Sequence, residues 1–339
     1  MKAGQAVSHI RFSIVITCYN QPDFIRDAVD SALLQHSPSK EIIVVDDGST
    51  DGSAQVLRHY GESIQLLRFP RNRGAIEARN HGAAHAEGEY LVFLDGDDVF
   101  LQWALDVYER IIAERHPAFI LGRYCGFTGA VPSATEREPR GKVELVEYAS
   151  LMAKDRGFGM SASSFVVEKR VFQQVGGWSA GIFHLDCVDL AAKLGFLRST
   201  VLIRAPYTVL YRMHVSNSIR TVPPFLQMAH RILRKERSGE YPGGRGFRFE
   251  RYAWFGGIVV FWVRRALRAK HYRDAARLGA SGLPMILASI FKRSTPCITG
   301  RRPFEILDLP QQWNQPRAAI YSSNRPFRAA HGVPSGAHS

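Results

Sequence analysis

Apolar residues along this chain switch between two periods. Phe12–Thr17 is a continuous apolar and β-branched run, as expected of a strand covered on both faces. From Pro22 to Gln35 the pattern changes, and Ile25, Ala28, Val29, Ala32 and Leu33 take the i, i+3, i+4, i+7, i+8 spacing of an amphipathic helix. Glu41–Val45 reads as a second buried strand, Ile64–Phe69 as a third and Tyr90–Leu94 as a fourth; Ala75–Ala86 and Gln102–Arg115 read as helices. Strands alternating with helices predict βαβ units and an α/β fold, a Rossmann-like, mostly parallel sheet flanked by helices. Ligands of such sheets sit beyond the carboxyl ends of the strands. Polar clusters fall at those ends here: Thr17–Asn20, Asp46–Ser49 and Asp95–Asp98.

The last third has a different character. Phe225–Ser238 and Tyr252–Leu278 read as helices, the second carrying Trp254, Phe255, Phe261 and Trp262 beside Arg264, Arg265, Arg268 and Lys270. A further apolar segment, Leu278–Phe291, contains Pro284. Charge sharpens the division. Residues 1–224 hold 24 basic and 25 acidic side chains, whereas residues 225–339 hold 20 and 6, so the net +13 belongs to the last third. Aromatic residues flanked by Lys and Arg suit a helix lying on an anionic membrane surface; a helical hairpin packed on the body, with its charges solvated, is the competing reading. From about residue 310 the chain is rich in Pro, Ser, Asn and Arg, and a poorly ordered tail is expected. The apolar run Ala253–Val263 is too short to span a bilayer, and Met1–Arg11 is too polar for a signal peptide. Cys18, Cys125, Cys187 and Cys297 form no CxxC pair, which points away from a disulfide scaffold or thiolate zinc site and toward a reducing compartment. No nucleic-acid motif accompanies the basic third, so a nucleic-acid partner is not expected.

Asp95, Asp97 and Asp98 place three carboxylates within four residues. Unpaired, they would repel one another, and a hard cation, Mg²⁺ or Mn²⁺, resolves the repulsion. A plain acidic turn capping the next helix is the alternative. Asp46-Asp47-Gly48-Ser49 can be a turn, or a loop whose carboxylate accepts a hydrogen bond from a base or ribose. Arg79 suits a diphosphate, or is a solvated charge.

Taken together, Arg11–Asn20, Glu41–Ser53 (EIIVVDDGSTDGS) and Asn72–Val99 (NRGAIEARNHGAAHAEGEYLVFLDGDDV) resemble the family 2 glycosyltransferases, and the resemblance resumes at Ser161–Phe196 and Leu210–Ser218. It implies an A-type nucleotide-diphospho-sugar fold over residues 10–222, with a nucleotide-sugar half (10–99) and an acceptor half (100–222). A helical basic extension (223–309) and the tail (310–339) would follow. By the same resemblance Thr17, Tyr19, Asp46 and Asp47 would hold the nucleotide, and Arg79 and Asn80 would line its site. Asp95 and Asp97 would form a DxD motif, with Asp97, Asp95 and His214 as the metal set, Asp95 reaching the ribose or a metal-bound water of the nucleotide-sugar site, and Arg212 on the phosphates. Trp178, in the Gly176-Gly177-Trp178 turn, would face the acceptor, or be a core aromatic. The family's acidic pair is displaced here: His184-Leu185-Asp186-Cys187-Val188-Asp189-Leu190 puts Asp186 at the catalytic base if one residue is inserted, with Cys187 and Asp189 as alternatives. The implied activity is inverting transfer of a hexosyl group from a UDP-type donor to a saccharide or lipid-linked acceptor in cell-surface polysaccharide synthesis. It would take place in the cytoplasm, at the inner face of the cell membrane. A nucleotide-sugar-binding module that has lost its base, or a basic nucleic-acid binder, are the rival functions.

Overall fold

The computed structural model describes residues 12–37, 39–132, 142–147, 159–195, 199–214, 222–294 and 305–308. The expected tail, Cys297 and the segment Val215–Ser218 lie outside the described residues. The strands are β1 (Phe12–Cys18), β2 (Lys40–Asp46), β3 (Gln65–Arg68), β4 (Tyr90–Asp95), β5 (Val99–Phe100), β6 (Phe119–Leu121), β7 (Tyr124–Phe127), β8 (Lys142–Glu147), β9 (Phe165–Glu168), β10 (Thr200–Ala205), β11 (Val209–Arg212) and β12 (Glu305–Asp308). The helices are α1 (Ile25–Leu33), α2 (Ser53–Arg58), α3 (Ala75–His85), α4 (Ala104–Arg115), α5 (Lys169–Gln174), α6 (Asp186–Leu194), α7 (Pro223–Ser238), α8 (Arg248–Arg268) and α9 (Tyr272–Ser294).

One large sheet has the order β12-β8-β10-β6-β9-β4-β1-β2-β3. β3, β2, β1 and β4 run parallel, as the strand–helix alternation predicts. β9 enters antiparallel between β4 and β6, and β8 antiparallel beside β10. A small sheet, β5-β11-β7, stands beside it. The unbroken apolar runs follow from burial on both faces. Val15, Ile43, Val45, Leu91 and Phe93 point into one core with α6, α7 and α8, while Ile14, Ile16, Val44, Val92 and Leu94 point into the other with α1 and α4.

The C-terminal helices belong to the first of these cores. Trp254, Phe255, Val259 and Trp262 are buried with strand residues, and Phe225 stacks on Trp262 at 4.0 Å between centroids. These aromatic side chains therefore anchor the helices to the sheet rather than facing outward. The helix expected over Tyr252–Leu278 instead ends at Arg268, with Lys270 in the left-handed region at φ 62. The chain then forms one helix through Pro284 to Ser294. Packing explains the continuity. A Cβ on Gly256 would stand 1.9 Å from the Met285 carbonyl oxygen, so α8 and α9 touch backbone to backbone beside the proline and hold α9 in line. Within the segment read as a helical extension, Glu305–Asp308 is a strand, and it pairs with β8 at the sheet edge.

Candidate active site

Parallel registry brings the polar clusters together. Thr17 lies opposite both Val45 and Asp95, and Cys18 opposite Asp46, so the ends of β1, β2 and β4 stop at one level. Gly96 is required just beyond β4, because a Cβ there would lie 2.6 Å from the Thr17 carbonyl and from Gln21 Oε1.

Arg79 is the centre of the site. It projects from α3, is 7% exposed, and rests over the Trp178 ring at 4.9 Å. Its Nη2 donates to Asp95 Oδ1 and its Nη1 to Asp186 Oδ2, both at 2.7 Å. Burial works against this charge, but Asp95 and Asp186 outweigh it and hold the guanidinium more firmly protonated. Beside it, His214 Nε2 lies 2.8 Å from Asp97 Oδ2. Burial and the neighbouring Asp95 push the Asp97 carboxyl up, and His214 pulls it down. The four side chains Asp95, Asp97, Asp186 and His214 come from β4, the turn after it, α6 and the strand end at β11, and all remain partly open to solvent.

The third acid of the cluster, Asp98, is structural. It is fully buried, accepts from Ser163 Oγ and from the Arg212 backbone N–H at 3.0 Å, and burial raises its pKa well above the usual carboxylate range. Ser163 Oγ also accepts from the Asp95 backbone N–H at 3.0 Å, so one hydroxyl fixes two members of the cluster. Asp47 has both oxygens occupied, accepting from the Arg73 and Gly74 backbone N–H groups at 2.7 and 2.8 Å. A carboxylate oxygen has a second lone pair, so Asp47 can hold that loop and still accept from a base. Burial raises its pKa. Asp46 is buried, accepts from the Ser49 backbone N–H at 2.9 Å, and lies 3.0 Å from Arg68 Nε. Thr17 is buried beneath the strand ends, and Tyr19 is exposed at their rim.

Three expected contacts are replaced. Arg212 does not reach toward the site as a phosphate ligand: it is buried, its Nη2 donates to Asp27 Oδ2 at 2.6 Å, and Nε and Nη1 donate to the Asp97 and Gly129 carbonyls. A buried cation needs a counter-ion and acceptors, and Arg212 finds them by tying β11 to α1. Asn80 grips the Trp178 backbone from both ends of its amide, donating to its carbonyl at 2.9 Å and accepting from its N–H at 3.0 Å. Trp178 is 1% exposed between Phe93 and Phe165, so it offers no face to an acceptor; it is the floor under Arg79.

The candidates for the base separate sharply. Asp189 is fully buried and accepts from Ser179 Oγ, Tyr241 OH and Lys235 Nζ. Burial, with Asp186 adding to it, pushes the Cys187 thiol well above its ordinary pKa, so it stays protonated at neutral pH. Asp186 alone among the three joins the Asp95 cluster. Sequence reasoning missed Asp27 and Ser163. Each lies far along the chain from its partner, and no local spacing marks either.

Residues 13–172 match the family model described as glycosyl transferase family 2. TuaG of Bacillus subtilis (strain 168), named for teichuronic acid biosynthesis, is 38% identical over 119 residues, which are 34% of this chain and 44% of that protein. The poly(ribitol-phosphate) beta-glucosyltransferase of Bacillus spizizenii is 35% identical over 145 residues, 41% of this chain and 23% of the relative. The chain thus spans less than half the length of these relatives. Among solved structures, S. aureus TarS 1-349 in complex with UDP-GlcNAc superposes with a TM-score of 0.65 at 18% identity, covering 83% of this chain and 82% of that one. That likeness is one of fold, and it is the A-type fold that the strand order and the site at the strand ends describe. Residues 13–172, just under half of the chain, thus resemble glycosyl transferase family 2.

Proposed function

We propose that this protein is a divalent-metal-dependent, inverting glycosyltransferase. It would move a hexosyl group from a nucleotide diphosphate sugar to a hydroxyl of a saccharide or lipid-linked acceptor. The observation that carries this reading is the single buried guanidinium of Arg79 holding Asp95 on one nitrogen and Asp186 on the other. In this reading Asp95 is the donor-side and Asp186 the acceptor-side carboxylate, held by one guanidinium. The names of TuaG and of the poly(ribitol-phosphate) enzyme support a cell-surface polymer as the acceptor. The TarS complex makes a UDP-sugar the first donor to test.

Asp97 and His214, with Asp95 beside them, fit a hard divalent cation: their donor atoms lie 2.8 Å apart, a spacing compatible with neighbouring positions on one ion. Among the described residues no group of three or more His, Cys, Asp or Glu side chains is assembled to hold a metal alone. Diphosphate oxygens and water would complete the shell, as Mg²⁺ and Mn²⁺ prefer. When bound, the cation supplies positive charge against the departing diphosphate. Arg79 aims Asp186 by holding its Oδ2, leaving Oδ1 to take the proton of the attacking hydroxyl. As that proton leaves, the hydroxyl oxygen bonds to the anomeric carbon from the face opposite the diphosphate. The bond to the diphosphate breaks with its electron pair, and the configuration inverts. No protein nucleophile takes part.

The test is binding and hydrolysis of UDP-, GDP- and dTDP-sugars with and without Mn²⁺, for wild type and Asp97→Ala. One nucleotide sugar is expected to bind in a metal-dependent way. Asp97→Ala should weaken it by at least about 10–100-fold, the penalty for losing even an outer-shell partner of a metal. Binding without turnover of any acceptor would favour the binding module instead. Failure of every nucleotide sugar to bind would sink both readings.

A further inference from the structure

Helix α9 turns one face away from the protein. Tyr272, Leu283, Leu287 and Ile290 are 62, 52, 58 and 55% exposed. At about 100° per residue these four, with Ala276, fall within about 60° of arc and run for about 27 Å. Such a stripe on the solvent side of a packed helix is the inverse of what folding requires. The other face of α9 is satisfied: Ala275, Leu278 and Met285 are buried in the core shared with α8.

Charge surrounds the stripe. The hairpin Arg248–Ser294 holds ten Lys and Arg against two acids, Glu250 and Asp274. Arg251 is committed to the buried Glu236, but Arg264, Arg268, Lys270, Arg273 and Arg277 are exposed around the α8–α9 turn. No helix among the described residues is long and apolar enough to cross a membrane.

We propose that the α8–α9 hairpin docks on an anionic lipid leaflet. Leu283, Leu287 and Ile290 enter the boundary between headgroups and acyl chains, and the arginines around the turn meet the lipid phosphates. The occupant follows from the two features together. A nucleic acid would use the cations but has no use for a line of leucine and isoleucine. A second copy would bury the apolar stripe but bring two strongly cationic hairpins face to face. A leaflet with negative headgroups over hydrocarbon matches both. Of the aromatic side chains that the sequence placed at such an interface, Trp254, Phe255 and Trp262 hold the hairpin to the catalytic body instead, while Phe261 is exposed, so docking would need no unfolding of that core.

The experiment is co-sedimentation of the full chain with vesicles of phosphatidylcholine alone and of phosphatidylcholine mixed with phosphatidylglycerol. Two variants are compared, Leu283→Glu with Leu287→Glu, and Arg268→Glu with Arg273→Glu. All four positions are exposed, so thermal melts of both variants should match wild type. Wild type is expected on the anionic vesicles only and to be released by salt, and each variant should bind about tenfold more weakly or worse. The proposal is overturned if wild type ignores both vesicles, or if both variants sediment as wild type does. It is equally overturned if the stripe proves to be the contact of a solution dimer that the leucine variant dissociates.

Discussion

Replacing Asp186 by Asn is expected to lower turnover by about 10²–10⁴-fold, the range that a positioned general base contributes, with donor affinity nearly unchanged. Asn is close to isosteric, and its carbonyl can still accept from Arg79 Nη1, so the pairing geometry seen at 2.7 Å is preserved while the ability to take a proton is lost. Cys187→Ser is the companion variant. The thiol is held protonated by burial, so exchanging it for a hydroxyl should change turnover by only a few fold. Single-turnover transfer with saturating donor separates the two. If Cys187→Ser were the crippled variant and Asp186→Asn the active one, the base would be the thiol and the mechanism would need to be redrawn.

A second large effect, on folding this time, is expected at Asp189. Its carboxylate has no exposure and meets Ser179 Oγ at 2.6 Å, Tyr241 OH at 2.7 Å, Lys193 Nζ at 3.7 Å and Lys235 Nζ. Asp189→Asn removes the charge and leaves Lys193 and Lys235 beside each other with no counter-ion between them. The loss should be about 3–5 kcal/mol, the usual cost of breaking a buried pair from one side. That corresponds to a drop of about 10 °C in melting temperature for a body of this size. Lys235→Met should cost less, since Asp189 keeps Lys193 and two hydroxyl donors. Turnover measured at a temperature where both variants are folded should stay near wild type. An Asp189→Asn protein that melted normally but could not turn over would make Asp189 the base.

Much of the nucleotide half was legible because its signals are local. The β1, β2 and β4 runs are buried on both faces, so each is unbroken and apolar in sequence, and the acidic turns that follow are contiguous. Asp95, Asp97, Arg79 and Asp186 were named from short motifs, and the structure brings them together. Roles that depend on distant partners were not legible. Arg212 looks the same in sequence whether it binds phosphate or Asp27, 185 residues away. Trp178 looks the same whether it stacks on a sugar or sits under Arg79. The break between α8 and α9 carries no Gly or Pro, because Lys270 takes the left-handed conformation that those signals normally announce. In the other direction, Pro284 announces a break that backbone contact with α8 prevents.

The far edge of the sheet has a consequence for how this chain can be cut. β3, at one margin, guards itself with exposed Gln65 and Arg68. β8, at the other, places Val143 and Leu145 inside the core and would present an open row of backbone donors and acceptors. β12 closes that row, pairing from Asp308 against Lys142 to Glu305 against Leu145. After three helices the chain comes back to its own sheet and covers β8, so β12 becomes the margin and the helical layer is a loop pinned at both ends. Shortening the protein to Ser294 would spare the Arg79 cluster and yet leave a sticky margin, a recipe for filaments and inclusion bodies rather than for a smaller stable protein.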